Sequence, residues 1–111
     1  MTDKRFHFRK DLPAEGMVAN ATGSTWTTIR LLDLSKGGIG FMCPSDIPVG
    51  GVRMVRFRLP SPDQWQIGAV VKIIYCVKHR LLGGYRLGAE FSHLDDDGRV
   101  RIACFVETTQ D

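Results

Sequence analysis

The chain has 111 residues, 43% hydrophobic and 24% charged, enough for one domain with its own core and too few for two. No run approaches the roughly 18 apolar residues of a membrane span, and Met1-Thr2-Asp3-Lys4-Arg5 leads into basic and aromatic residues rather than a secretory signal's apolar run. A cytoplasmic protein without membrane insertion is expected. The net charge of +3 is too mild to name a polyanionic partner, but it is unevenly spread: Lys4, Arg5, His7, Arg9 and Lys10 crowd the start, while Asp95, Asp96 and Asp97 stand together near the end.

Residues 1–12 read as a flexible basic arm, because Phe6 and Phe8 are its few apolar anchors. Residues 13–111 read as the folded domain, and mostly as β-strand. Pro13 to Ala21 is a weak strand candidate; Trp26 to Leu34, rich in β-branched and aliphatic residues, is a stronger one. Asp33-Leu34-Ser35-Lys36-Gly37-Gly38 has turn chemistry: Asp33 and Ser35 can accept from local backbone N–H groups, and Gly37 and Gly38 are expected to supply positive φ. Gly38 to Cys43 follows as a short apolar strand.

From Gly51 to Leu59 the alternation slips: Val52 and Met54 share one phase, and Val55, Phe57 and Leu59 the other, which predicts a β-bulge. From Gln66 to Cys76, Ile67, Ala69, Val71, Ile73 and Tyr75 share one face; the opposite face is also partly apolar, as in a strand covered on both sides. Lys78 to Gly84 is a hairpin connection closed by two glycines, and Tyr85, Leu87, Ala89 and Phe91 alternate again. After Asp95, Asp96 and Asp97, which suit a helix N-cap and first turn, Val100, Ala103 and Phe105 or Val106 form an apolar stripe that predicts a terminal helix. Val100, Ile102, Cys104 and Val106 also alternate as a strand would, and Gly98 weakens helix propensity. Five or six strands and one helix point to a closed or nearly closed barrel.

Cys43, Cys76 and Cys104 are an odd, widely spaced set, unlike a disulfide framework. Cys76-Val77-Lys78-His79 offers a C-x-x-H pair, but no second close pair completes the four ligands of structural zinc, so no metal is expected. Ser24 and Ser35 lack a nucleophile elbow, the three histidines lie far apart, and no acidic pair has catalytic spacing, so an enzyme is not expected.

Two clusters remain. Arg5 and Arg9 are four residues apart, with Lys4 just before; Asp33, Ser35 and Gly38 follow in the turn. In this order they resemble the two signatures of the PilZ-domain family, R-x-x-x-R and then D/N-x-S-x-x-G, and Gly88-Ala89-Glu90-Phe91 resembles the family's closing G-x-x-F strand. The resemblance implies an all-β fold, a six-stranded antiparallel split barrel with a short C-terminal helix. It implies a receptor that binds cyclic di-GMP on the barrel's outer surface, as a ligand and not a cofactor, and that folds its arm over the ligand to signal to a downstream protein in motility, adhesion or polysaccharide synthesis. Arg5 and Arg9 would grip phosphate or the O6 and N7 acceptors of guanine and stack on a purine face. Asp33 would accept from the guanine N1–H and N2–H₂ edge, Ser35 would bond at short range, and Gly38 would let a base approach. Tyr75 stands where some family members stack an aromatic ring on a base, and Lys4 where the family tunes one ligand against a stacked pair. Two other readings fit part of the pattern. A barrel binding single-stranded nucleic acid would use the charge, but Trp26 and Trp65 stand alone without basic–aromatic alternation, so DNA is not expected as a partner. A protein-interaction module would carry the same motifs silent.

Overall fold

The computed structural model describes residues 9–60 and 65–108. Its elements are β1 (Lys10–Ala19), β2 (Trp26–Leu34), β3 (Gly38–Cys43), β4 (Val52–Arg58), β5 (Gln66–Lys78), β6 (Tyr85–Leu94) and α1 (Asp96–Thr108). The strands close a barrel in the order β1-β2-β3-β6-β5-β4, with β4 pairing back onto β1 and every pair antiparallel. The closing seam between β1 and β4 is short, running over Gly16 to Val18. β1 already includes Lys10, Asp11 and Leu12, counted with the arm on sequence grounds, and Leu12 lies in the core.

The interior is filled by alternate residues: Ile29 and Leu31 of β2, Ile39 and Phe41 of β3, Val55 and Phe57 of β4, Val71 and Ile73 of β5, Leu87 and Ala89 of β6. Four register shifts bend the strands tightly enough to close. They fall between Asp11 and Ala14 in β1, Leu31 and Asp33 in β2, and at two places along the β5–β6 pair. Pro13 stands in the first, where a strand can spare an N–H donor. β4, by contrast, pairs with β5 without a shift from Val52 to Arg58, so the bulge expected there is absent. Val52 and Met54 break the pattern because they face outward, 52% and 42% exposed.

The bulge in β5 leaves Ile74 without a partner, between the pairs Ile73–Ala89 and Tyr75–Gly88. It turns Tyr75 away from the core face it was expected to share with Ile73 and brings Cys76 partly inward. The outer face of β5 is not covered: Gly68 and Ile74 are exposed. The β5–β6 hairpin turns as expected on Gly83 and Gly84, at φ +78° and +72°.

Asp95 caps α1, its Oδ1 accepting from the Gly98 N–H at 2.7 Å. The buried stripe is Gly98, Ile102 and Val106, with Phe105 half-buried beside it, not the one led by Val100, which is 62% exposed. Gly98 explains the shift in phase: a β-carbon there would come within 3.0 Å of Leu94, so its absence lets the first turn lie against the end of β6. Ile102, fully buried, joins the barrel core, and burying such a side chain contributes roughly 1.5–3 kcal/mol. Around it Lys10 lies over the Phe105 ring at 5.4 Å, Arg101 over Trp65 at 4.9 Å, and Lys36 pairs with Glu107.

Candidate functional site

The site candidates gather where the second signature leaves β2. Asp33 is the last outward residue of that strand, opposite Gly40 on β3; Gly40 in turn pairs with Gly88 on β6, and Gly88 with Tyr75 on β5. A β-carbon on Gly40 would stand 2.9 Å from Asp33 Oδ1, so the carboxylate lies directly on the β3 backbone. A β-carbon on Gly88 would stand 2.3 Å from Tyr75 Cε2, so the tyrosine ring lies directly on β6. An acceptor and an aromatic face thus sit low on adjacent strands, over a floor that two glycines keep flat. Asp33 reaches in from β2 and Tyr75 from β5, over β3 and β6, the two neighbouring strands between them, roughly 4.8 Å apart.

Arg9 closes the row from the β1 side. Its Nη1 donates to Asp33 Oδ1 at 2.5 Å, with the arginine side chain 53% exposed and the aspartate 18%. On β1 the residue paired with Asp33 is Asp11. Two carboxylates directly opposite would repel, and the Arg9 guanidinium offsets that repulsion.

Ser35 caps the turn, as its turn chemistry suggested. It is buried at 3% exposure, its Oγ accepts from the N–H groups of Gly37 and Gly38 at 3.2 and 3.1 Å, and its N–H donates to the Gly38 carbonyl at 2.9 Å. The Phe91 N–H donates to the Gly37 carbonyl at 2.8 Å, tying the turn to β6. Ser35 therefore shapes the loop that follows Asp33. Neither Gly37 nor Gly38 has the expected positive φ. Gly38 is needed for space, because a β-carbon there would stand 2.1 Å from the Ala89 carbonyl oxygen. What approaches it closely is the protein's own β6.

Lys4 and Arg5 lie outside the described residues. Gly40 and Asp11, by contrast, belong to the row and were not singled out from sequence. The signal for Gly40 was there: a glycine inside a six-residue apolar strand marks a close approach. Beside the platform, the next outward row runs Arg30, Met42, Arg86. It borders an open groove of about 700 Å³ lined by Pro13, Arg30, Met42 and Leu82 among others. Among the described residues no group of three His, Cys, Asp or Glu is placed to hold a metal, and no helix is long and apolar enough to cross a membrane.

The family model described as "PilZ domain" matches residues 3–108. The chain belongs to the PilZ-domain family. A flagellar brake protein YcgR of Methylibium petroleiphilum is 31% identical over 87 residues, 75% of this chain and 38% of that protein. The chain thus spans well under half of this relative's length. Among solved structures, the inhibitor of motility MotI/DgrA of Bacillus subtilis superposes with a TM-score of 0.80 at 14% identity, covering 91% of this chain and 48% of that one. The PilZ domain of Escherichia coli YcgR, solved with c-di-GMP, gives 0.74 at 16% identity, covering 94% and 89%. At these identities the superpositions speak for the fold: a six-stranded antiparallel PilZ barrel with one C-terminal helix.

Proposed function

We infer that this PilZ domain is a cyclic di-GMP receptor that catalyses nothing and regulates a partner protein, with motility the process its flagellar-brake relative suggests. The observation that carries the reading is the row Asp33–Gly40–Gly88–Tyr75: a carboxylate acceptor beside an aromatic ring on a flat outer wall, with Arg9 on the carboxylate. Guanine offers what this row can use, adjacent N1–H and N2–H₂ donors for Asp33 and a purine face for Tyr75. Arg9 and Arg5 would supply the fork of donors for phosphate or for O6 and N7, and Lys4 a further charge next to them. Ser35 and Gly38 would contribute by holding the loop after Asp33 in place. The solved complex of a related domain with c-di-GMP supports the ligand class.

Binding has to exchange the Arg9–Asp33 pair for contacts to the ligand. The arm carrying Arg5 and Arg9 would then close over the bound nucleotide, turning neutralised phosphate charge into a new surface for the partner. A calorimetric titration tests the assignment. Cyclic di-GMP should bind saturably, and neither GTP nor mixed-sequence single-stranded DNA should displace it at equal concentration. Displacement by the DNA would instead favour the nucleic-acid barrel.

A further inference from the structure

On β4 and its neighbours, away from the row described above, the barrel has a second chemically distinct face. Its centre is the outward row Met17 (β1), Arg56 (β4), Gly68 (β5). Met17 and Met54 are 37% and 42% exposed, and Val52 52%. The Arg56 guanidinium lies over the Trp26 ring, 4.3 Å from its centroid. That contact holds the guanidinium plane while leaving its N–H edge free to meet a carboxylate in two-point fashion. Arg58, two residues on, shares this outward phase, and among the described residues neither arginine pairs with a carboxylate. Beside Arg56, the space where Gly68 lacks a side chain holds no atom within 4 Å of a β-carbon position.

We propose that this face docks a partner protein through an acidic segment whose carboxylates engage Arg56 and its neighbours and whose apolar side chain enters the space above Gly68. Methionines on an exposed wall adapt their shape to such a side chain. Two other occupants fit worse. A nucleic-acid strand needs a free aromatic face for its bases, and the Trp26 ring is covered by Arg56. A second copy of this chain, related by a two-fold axis, would set the arginines of one face against those of the other.

The probe is a short synthetic peptide alternating glutamate with leucine, titrated into the isotope-labelled protein while backbone amide shifts are followed. Three controls run alongside: a twin with lysine for glutamate, a twin with serine for leucine, and oligodeoxythymidine. The glutamate–leucine peptide should bind and move the amides of Met17, Met54, Arg56 and Gly68. Arg56→Glu should weaken binding by about tenfold or more through charge, and Gly68→Leu by a similar factor through filled space, with melting temperatures near that of the unmodified protein. Met54→Ser, which leaves every charge in place, checks the apolar half independently. The proposal is overturned if oligodeoxythymidine or either twin binds as well, if the shifts fall on Asp33 to Gly40, or if sedimentation shows two copies closing over this face.

Discussion

A methyl group at Gly38 would meet the Ala89 carbonyl oxygen at 2.1 Å, a backbone atom that cannot step aside. At Gly40 it would meet the Asp33 carboxylate at 2.9 Å, and at Gly88 the Tyr75 ring at 2.3 Å, both of them ends of movable side chains. The three glycines should therefore behave differently on substitution. Gly38→Ala should destabilise the fold by about 2–3 kcal/mol in urea unfolding, since β3 must move away from β6. Gly40→Ala and Gly88→Ala should leave stability within about 1 kcal/mol and yet weaken cyclic di-GMP binding about tenfold or more, by lifting Asp33 or Tyr75 off the wall. Equal stability losses in all three would mean that the platform belongs to the scaffold rather than to the site. Arg9→Ala removes a half-exposed ion pair, worth at most about 1 kcal/mol of stability. It should nonetheless weaken the ligand by roughly 1.5–3 kcal/mol, because a charge-assisted contact is lost in the complex. The turn chemistry expected of Ser35, accepting from local backbone N–H groups, is there, whereas the positive φ expected at Gly37 and Gly38 is not. A serine and a glycine in a turn motif can each serve a ligand or the turn itself, and only the hydrogen bonds around Ser35 Oγ tell the two apart.

At the scale of elements, β5 and β6 were legible from their alternation and β2 and β3 from their β-branched and apolar composition, while β1, a weak candidate at Pro13 to Ala21, begins at Lys10 instead. The bulges were not legible. Val52 and Met54 suggested one in β4, where the chain is regular, while the bulge at Ile74 follows an uninterrupted alternation. A phase slip has two physical causes, an extra residue or an apolar residue left on the surface, and a single strand read without its partner cannot separate them. For α1 the stripe was misphased because Gly98, read as a weakness, is a contact residue. Ile102→Ala should accordingly destabilise the protein by about 2–4 kcal/mol, with Val100→Ala within about 0.5 kcal/mol, by denaturant unfolding. The arm gives the dynamic counterpart. Cyclic di-GMP should raise hydrogen-exchange protection from Lys4 to Arg9 and around Asp33 to Gly38, while the core stretch of β5 from Ile67 to Ile73 stays unchanged. If the proposed arm closure orders this segment, at a cost on the order of 1–2 kcal/mol per residue, Arg9→Ala should remove the protection. If the same arm amides are as protected without ligand as with it, arm closure is not the switch.

For the molecule as a whole, the closed barrel holds two unlike faces, the glycine-floored row with Asp33 and Tyr75, and the arginine–methionine wall on β4 and its neighbours. Its closed sheet is what allows a low carboxylate and a low ring to be held at fixed spacing without a pocket to enclose them. The ratio of affinities for cyclic di-GMP and cyclic di-AMP, measured by calorimetry in the unmodified protein and in Asp33→Ala, probes that arrangement most directly. Adenine lacks both the N1–H and the N2–H₂ donors, and two lost contacts at about 1.4 kcal/mol each correspond to roughly a hundredfold weaker binding. The expected result is a ratio of that order in the unmodified protein that falls to within a few-fold in Asp33→Ala. Equal affinity for the two dinucleotides in the unmodified protein, or a ratio that survives the loss of Asp33, would contradict guanine reading by this row.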